Sequence, residues 1–259
     1  MSCSNCLVTW RGLGVAEKTI NPKVSFIMPA FNEGAIIEHS LKCLDNVACG
    51  LGLAYETIVV DDGSHDDTYL RVSQYASRNP HVRVIRFGRN MGKGFAIKTG
   101  FWESKGDLVI FVDSDFEISF DVVDQYIKAL RDADIAIGSK WHRDSIVEIS
   151  LTRKFLSRGF NVLVRLLTGL KISDTQCGIK AVRRKSFEKI FKHLSVKHYA
   201  FDVELLVLAN LYGLRIVELP VKLLLKDSFS FRNMWRMFLD LLGIAYRLRI
   251  KRWYQRGFA

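Results

Sequence analysis

Short apolar segments that end in polar clusters recur along the first half of this 259-residue chain and restrict the folds available to it. Two of them, VSFIMPAFNE at 24–33 and YETIVVDDGS at 55–64, have the length and composition of buried strands that run into loops. The residues between them carry apolar side chains at helical spacing, including Ile37, Leu41 and Leu44. This strand, helix, strand unit predicts an α/β fold with a doubly wound, mostly parallel sheet, flanking helices and ligands at the carboxyl edge.

The same alternation continues and predicts the domain organisation. Further strands are expected at 82–87, 107–115, 134–140 and 214–221, and a long helix from about 150 to 169. The chain has only four prolines and no Ser/Gly/Pro-rich stretch, which favours one globular domain with short additions. We assign residues 1–22 to an N-terminal extension, 23–226 to the α/β domain and 227–259 to a basic amphipathic C-terminal segment.

The charge of the chain is unevenly distributed. Its 38 Lys and Arg against 27 Asp and Glu give a net charge of +11, but residues 1–139 are net −4 and residues 140–259 are net +15. An anionic partner is therefore expected at the second half. A nucleic-acid-binding protein would spread its positive charge over a continuous surface, so the acidic first half argues against nucleic acid as that partner.

The hydropathy of the chain predicts neither a membrane span nor export. No apolar stretch reaches the roughly 18 to 20 residues needed to cross a bilayer, and the first twenty residues lack the continuous apolar run of a secretory signal. We therefore expect a cytoplasmic location. Five cysteines fit a reducing compartment, and the CxxC of Cys3 and Cys6 has no second pair at zinc spacing, so the thiols are interpreted as structural or incidental.

Two carboxylates follow the predicted strand LVIFV. Asp113 and Asp115 carry like charges that repel each other in a desolvated site unless a cation neutralises them. Glu117 offers a third oxygen ligand, and no His or Cys is near in the sequence, so this ligand set suits Mg²⁺ or Mn²⁺ rather than Zn²⁺. A cation held by so few protein ligands completes its shell with water and substrate phosphates, which predicts a phosphate-containing substrate.

A glycine-rich segment precedes the third predicted helix. Gly88, Gly92 and Gly94 permit close backbone approach, and Arg89 and Lys93 place positive charge near the helix N-terminus, where an anion would bind. The segment is not a Walker motif, because it lacks the Gly-x4-Gly-Lys-Ser/Thr order. Taken alone, it is more typical of a plain turn.

Together, these segments resemble the family 2 inverting glycosyltransferases, which have the GT-A fold. The motifs are VSFIMPAFNE, ETIVVDDGSHDDT, GRNMGKGFAIKTGF, GDLVIFVDSD and ISDTQCGIKAV, in the order of the family and spread over residues 22–225. The likeness is strongest to the enzymes that transfer sugars to dolichyl or polyprenyl phosphate. It implies inverting, Mg²⁺- or Mn²⁺-dependent transfer of a hexose from a nucleotide sugar to a dolichyl or polyprenyl phosphate.

The resemblance also implies roles for individual residues. The nucleotide would be bound by Pro29, Phe31, Glu33, Asp61, Asp62, Lys93, Gly94 and Ser114. Asp113 and Asp115 would be catalytic through the metal, which they would hold with Glu117, and the acceptor phosphate would be bound by Lys140, Arg153 and Ser157. Two positions differ from the family pattern. Phe31 stands where Tyr is frequent, and Lys140 stands where Arg is frequent, so a phenol hydroxyl and a bidentate fork are absent.

The identity of the sugar is predicted from two short motifs. GKG at 92–94 and DTQCG at 174–178 are more similar to the dolichyl-phosphate glucosyltransferases than to the mannosyl enzymes, which favours glucose from UDP-glucose. Three alternatives stay open. They are a GDP-mannose-dependent dolichyl-phosphate mannosyltransferase, a family 2 enzyme with a soluble saccharide or protein acceptor, and a nucleotidyltransferase that releases pyrophosphate.

The C-terminal segment combines apolar and basic residues. Met234, Phe238, Leu241, Ala245 and Leu248 lie on one predicted helical stripe, and seven Arg or Lys stand against one Asp in residues 231–257. Such a helix is typical of a membrane interface and predicts a peripheral enzyme on the cytoplasmic face of a membrane. The alternative is a helix that packs on the body of the protein or on a second subunit.

Overall fold

The computed structural model describes residues 23–224 and 231–256. Its strands are β1 (Val24–Ala30), β2 (Tyr55–Asp61), β3 (Val82–Arg86), β4 (Leu108–Phe111), β5 (Ile135–Gly138), β6 (Ile146–Glu148), β7 (Lys180–Arg183), β8 (Ile216–Leu219) and β9 (Lys222–Leu224). Its helices are α1 (Ile37–Gly50), α2 (Thr68–Ala76), α3 (Lys93–Glu103), α4 (Val123–Ala129), α5 (Leu151–Thr168), α6 (Arg184–His193), α7 (Phe201–Leu211), α8 (Phe231–Ala245) and α9 (Trp253–Arg256). A 3₁₀ turn, Phe120–Val122, precedes α4, and a π-helical turn, Tyr246–Ile250, follows α8.

Seven strands form one sheet in the order β3-β2-β1-β4-β7-β5-β8. β1 pairs in parallel with β2 and β4, β2 with β3, and β5 with β8, whereas β7 runs antiparallel between β4 and β5. β6 and β9 form a separate parallel pair. The predicted mostly parallel sheet with flanking helices is confirmed, and β7 is a strand that the sequence patterns did not single out.

The antiparallel direction of β7 brings an additional loop to the site. Lys180, at the start of β7, lies opposite Phe111 at the end of β4 and opposite Ile137 in β5. The chain that leads into β7 therefore reaches the edge of the sheet where β4 and β5 end. Residues 174–179 thus join the strand-end loops, which is where ligands bind in folds of this class.

Helices cover both faces of the sheet. Ile27 and Val109 belong to a buried cluster with residues of α3, α5, α6, α7 and α8. Their neighbours Phe26 and Ile110 belong to a second cluster with residues of α1, α2 and α4. This alternation is expected of strands that are buried on both sides, and the resulting three layers fix the strand ends in position.

The C-terminal helix packs against the body of the protein. Leu241, Ile244, Leu248 and Tyr254 are buried in the same cluster as α7, and α8 contacts α5. Two residues of the predicted apolar stripe, Leu241 and Leu248, therefore face the body, as in the alternative that the sequence left open. Within the described ranges, no helix combines the length and apolarity needed to cross a bilayer.

The cysteines within the described ranges are free thiols. Cys43, Cys49 and Cys177 form no disulfide, and Cys177 is buried in the core, where burial raises the pKa of its thiol to about 11. A buried thiol of raised pKa is unreactive, which agrees with a structural role. Cys3 and Cys6 lie outside the described residues.

Candidate active site

The loops after β1 and β2 are held together by hydrogen bonds. Asn32, whose φ of 57° is left-handed, donates its backbone N–H to Ser64 Oγ and accepts the His65 N–H on its side-chain oxygen. The neighbouring Phe31 is 39% exposed, and its ring meets that of His65 edge-on at 6.2 Å. The exposed ring offers a flat apolar surface on which a heterocycle can stack.

Asp61 and Asp62, at the end of β2, have different partners. Asp61 is fully buried and its Oδ2 lies 3.2 Å from Arg86 Nε. Asp62 accepts the backbone N–H groups of Met91 at 2.6 Å and of Gly92 at 2.9 Å. Burial raises the pKa of Asp62, although these two hydrogen bonds act to lower it. Asp62 therefore anchors the glycine-rich loop as well as bordering the predicted nucleotide site.

A cavity of about 320 Å³ opens beside these acids. Its walls are formed by Gly63, Ser64, His65, Arg86, Phe87 and Gly88. They lie at and just beyond the ends of β2 and β3. A cavity of this size at the carboxyl ends of neighbouring parallel strands suits a nucleotide base.

The glycine-rich loop enters α3 through close backbone contacts. Gly92 has a φ of 99°, and a side chain there would collide with the carbonyl oxygen of Lys197. Gly94 lies against α7, where an added Cβ would be 2.6 Å from the Cβ of Phe201. Gly94 thus has a packing role that its predicted place beside the nucleotide did not include. Lys93 begins α3 and carries its ammonium group into the site.

The carboxylates predicted to hold a metal lie after β4, in the middle of the edge. Asp113 Oδ1 forms an ion pair of 2.6 Å with Lys93 Nζ. Asp115 Oδ1 accepts the backbone N–H of Glu117. Between them, Phe116 has a φ of 55°, a conformation that is rare for a bulky residue and typical of turns at functional sites.

The negative charge of Asp113, Asp115 and Glu117 is only partly neutralised by nearby basic side chains. Burial, followed by repulsion from Asp113, raises the pKa of Asp115. Burial and the nearby Asp115 raise the pKa of Glu117 to about 7. Burial acts to lower the pKa of Lys93, but Asp113 and Asp202 raise it above the ordinary value for lysine. The cluster therefore favours the binding of further positive charge.

These residues fit a hard divalent cation by their chemistry. Within residues 23–224 and 231–256, no three His, Cys, Asp or Glu side chains converge as a metal site. The donor set of Asp113, Asp115 and Glu117 nevertheless consists of carboxylate oxygens alone, as Mg²⁺ and Mn²⁺ prefer. Because Lys93 pairs with Asp113 Oδ1, a metal bound through that oxygen would have to replace this ion pair.

The loop before β7 packs directly against the cluster. A side chain at Gly178 would collide with Asp113, so the backbone passes immediately beside that carboxylate. Lys180 Nζ donates to the Cys177 carbonyl at 2.7 Å and pairs with Asp202 Oδ1 at 2.9 Å. Lys180 and Asp202 were not predicted from the sequence. The available signals were a lysine beside an apolar strand segment and an aspartate in the first turn of a helix.

The residues predicted to bind the acceptor phosphate lie beyond the β7 loop. Lys140 Nζ pairs with the buried Asp174 at 2.6 Å; burial acts to lower the pKa of Lys140, but Asp174 and Cys177 together raise it above the ordinary value for lysine. Arg153, in the first turn of α5, lies 3.5 Å from Glu117, and Ser157 follows one turn later with a half-buried side chain. The predicted metal and acceptor sites therefore meet at Glu117 and Arg153.

The remaining residues predicted to bind the nucleotide lie at the same edge of the sheet, and some of them are buried. Pro29 is buried near the end of β1, and the Glu33 N–H donates to Thr68 Oγ1 at 2.8 Å. Ser114 is buried, and its carbonyl accepts a hydrogen bond of 2.7 Å from Ser40 Oγ. The structure thus brings the predicted site residues to one edge of the sheet, with Pro29 and Ser114 beneath the surface.

Comparison with known proteins identifies the family. Residues 25–191 match the family model described as "Glycosyl transferase family 2". The chain belongs to this family. The predicted glycosyltransferase activity class is therefore confirmed. The dolichyl-phosphate beta-glucosyltransferase of Drosophila melanogaster is 35% identical over 256 residues, which cover 92% of this chain and 78% of the relative. The Homo sapiens enzyme of the same name is 33% identical over 250 residues, which cover 89% and 77%.

Solved structures with the same architecture include glucosyl-3-phosphoglycerate synthase from Mycobacterium tuberculosis. Its UDP complex has a TM-score of 0.65 and 19% identity, covering 92% of this chain and 85% of that one. Its complex with Mn²⁺, UDP-glucose and glycerol 3-phosphate has a TM-score of 0.64 and 18% identity, with the same coverage. At this identity the likeness concerns the fold, and it confirms the predicted GT-A architecture.

Proposed function

We propose that this protein transfers glucose from UDP-glucose to dolichyl phosphate, with inversion at the anomeric carbon. The observation that carries the proposal is the contact between Glu117, beside the carboxylates after β4, and Arg153, which lies 3.5 Å away. One half of the cleft suits a metal-bound diphosphate, and the adjoining half suits a second phosphate. The curated relatives are dolichyl-phosphate beta-glucosyltransferases, which supports glucose as the sugar and dolichyl phosphate as the acceptor.

On the donor side, the base would occupy the cavity beside Arg86 and Phe87, with Phe31 as a stacking surface. Lys93, once it leaves Asp113, would donate to an oxygen of the diphosphate. Bound Mg²⁺ or Mn²⁺ would stabilise the negative charge that develops on the departing UDP. Support for this arrangement comes from the glucosyl-3-phosphoglycerate synthase structure that contains Mn²⁺ and UDP-glucose.

On the acceptor side, Lys140 and Arg153 would hold the phosphate, and Ser157 would add a hydroxyl donor. A phosphate monoester has a second pKa near about 6, so its oxygen is already anionic at neutral pH. A general base is needed when a sugar hydroxyl attacks, but an anionic phosphate oxygen attacks without one. The task of these side chains is therefore to orient the oxygen that attacks the anomeric carbon.

We further propose that α5 and α8 carry the membrane-facing surface of a peripheral enzyme on the cytoplasmic face. On α5, Leu151, Phe155, Val162 and Leu166 are between 52% and 83% exposed. Their spacing places them on one side of the helix. Exposed Lys154 stands beside this stripe and would contact anionic lipid headgroups.

The outer side of α8 extends the same surface. Its exposed apolar residues and those that follow it are Trp235, Leu239, Leu242, Tyr246, Ile250 and Trp253. Arg249 donates to the Leu166 carbonyl at 3.0 Å and so joins the C-terminal turn to α5. An exposed apolar stripe with Trp and Tyr and adjacent arginines is typical of a helix that lies in a membrane interface. The outer stripe, rather than the buried Leu241 and Leu248, would contact the bilayer.

The proposed reaction is tested with purified protein and liposomes that contain dolichyl phosphate. UDP-glucose, GDP-mannose and UDP-N-acetylglucosamine are supplied separately with Mg²⁺ or Mn²⁺, and the lipid product is analysed by mass spectrometry and NMR. We expect only UDP-glucose to give a glycosyl lipid, a β-linked glucosyl phosphate, and EDTA to stop its formation. Use of GDP-mannose, or transfer to a soluble saccharide without lipid, would contradict the proposal.

A further inference from the structure

Gln176 has a buried amide nitrogen that the protein does not satisfy. Across residues 23–224 and 231–256, the buried side-chain nitrogens that donate no hydrogen bond are Gln176 Nε2 and Trp141 Nε1. Buried polar groups in native proteins are nearly always paired, so an exception requires an explanation, such as a ligand that supplies the acceptor. Both residues come from loops that enter the proposed active site.

The position of Gln176 lies between the donor and acceptor halves of that site. Because β7 is inserted between β4 and β5, the loop before it runs between Asp113, which follows β4, and Lys140, which follows β5. Asp174 connects the loop to Lys140, and Gly178 lies directly against Asp113. The transferred sugar has to lie between the diphosphate and the acceptor phosphate, and therefore beside this loop.

The loop also holds Gln176 in a defined place. The Gln176 N–H donates to Asp174 Oδ1 at 3.1 Å, and the same aspartate pairs with Lys140 through Oδ2. On the other side, the Cys177 carbonyl accepts from Lys180 Nζ at 2.7 Å. A side chain on a backbone that is fixed at both ends can bind a ligand with little loss of conformational entropy.

We infer that Gln176 is a specificity-determining residue that hydrogen-bonds a hydroxyl group of the donor sugar; the inference rests on the proposed function. A neutral amide has an N–H donor and a carbonyl acceptor, which match the donor and acceptor capacity of a hydroxyl. The basic side chains of Lys93, Lys140 and Arg153 are suited to the charged phosphates of the donor and the acceptor. The uncharged amide is therefore suited to the uncharged part of the substrate.

The test compares the wild type with Gln176→Met, which keeps a similar side-chain volume and removes both polar atoms. Binding of UDP is measured by calorimetry with Mn²⁺, and kcat/KM is measured for UDP-glucose and for its 2-, 3-, 4- and 6-deoxy analogues with dolichyl phosphate liposomes. We expect UDP affinity to change less than about two-fold and kcat/KM for UDP-glucose to fall about ten-fold. The variant should also become insensitive to the loss of one hydroxyl that the wild type requires.

A matched control is Gln74→Met, the same substitution at an exposed position in the last turn of α2, outside the proposed active site. Its deoxy-sugar profile should equal that of the wild type. A Gln176→Met enzyme with the wild-type profile would overturn the inference. A fall in its melting temperature, or a loss of UDP affinity as large as the loss of kcat/KM, would do the same, because either result indicates a structural role. A wild type that makes no glucosyl lipid would instead overturn the proposed function.

Discussion

Glu204 in α7 and the carboxylates after β4 differ in how fully neighbouring donors and positive charges neutralise them. Glu204 is fully buried and accepts hydrogen bonds of 2.6–2.8 Å from the N–H and hydroxyl of Ser195 and the N–H of Val196. Arg247 and Tyr254, from the C-terminal part of the chain, are two further donors to it. This carboxylate joins α7 to the C-terminal helices and has a role in the fold.

The carboxylates after β4 instead share a small number of basic side chains. Lys93 contacts Asp113, and Arg153 lies 3.5 Å from Glu117. Burial and mutual repulsion still raise the pKa of Asp115 and of Glu117. Negative charge that the fold leaves partly unmatched is available to a ligand. Glu204 therefore has a role in the fold, whereas the carboxylates after β4 are the ones that we propose take part in the reaction.

Asp115→Asn should separate the two roles most strongly. Turnover should fall about 1,000-fold or more, because a metal ligand that helps to stabilise the departing UDP is worth several kcal/mol. The melting temperature should stay equal or rise, since the change removes a repelling charge. Initial rates at saturating UDP-glucose and Mn²⁺, together with thermal unfolding, measure both effects. Turnover near that of the wild type would contradict the assignment.

Glu204→Ala should have the opposite signature. Removal of one partner of a buried ion pair leaves Arg247 without its carboxylate and should lower the free energy of unfolding by about 3–5 kcal/mol. Urea unfolding gives this value. Glu103→Ala is the control, because the Glu103 side chain is 57% exposed and its loss should change stability little. Equal stability of the two variants would contradict the structural role of Glu204.

Two arginines extend the comparison to positive charges, since Arg153 lies 3.5 Å from Glu117 and Arg247 lies 3.4 Å from Glu204. Arg153→Ala should lower kcat/KM for dolichyl phosphate about ten- to a hundred-fold, because charge-assisted hydrogen bonds contribute roughly 1.5–3 kcal/mol. UDP affinity should hold. Arg247→Ala should lower the melting temperature and leave the acceptor kinetics intact. Calorimetry with UDP and kinetics over acceptor concentration test the pair, and the reverse pattern would exchange their roles.

Exposed apolar side chains give the smallest expected effect. Phe155 is 79% exposed on the proposed membrane surface, whereas Leu70 is 56% exposed on α2. Phe155→Ser should weaken partition onto anionic liposomes about ten-fold, from the apolar area lost at the interface, without lowering the melting temperature. Leu70→Ser should float with liposomes as the wild type does. Equal flotation of both variants would argue against α5 as part of the interface.

The strand ends of the site could be predicted because their signal is local in the sequence. Asp62 and Asp113 each follow a continuous apolar run within two residues of its end, and parallel strands bring such ends to one edge. Lys93 could be predicted to lie at this edge for a similar reason, since the glycines that precede it are its neighbours in the chain. Its ion pair with Asp113 joins residues twenty positions apart and depends on the folded sheet.

The parts that escaped prediction depend on tertiary context. The four residues of β7 carry no strand signal that distinguishes them from a loop, and their antiparallel place between β4 and β5 is set by those neighbours. The partners Asp174, Lys180 and Asp202 were therefore missed. Helix α8 is apolar on two sides, with Leu241 buried and Leu242 exposed, so its composition could not decide which side faces the body.

We propose that the carboxylates after β4 bind a metal-bound nucleotide. The most direct measurement is the change in melting temperature when Mn²⁺ and UDP are added together to the wild type, to Asp115→Asn and to Glu103→Ala. A ligand that binds only the folded state stabilises it by an amount that increases with the logarithm of the ligand concentration relative to its Kd. We predict the same increase for the wild type and Glu103→Ala and little or no increase for Asp115→Asn. An equal increase in all three proteins would contradict the claim.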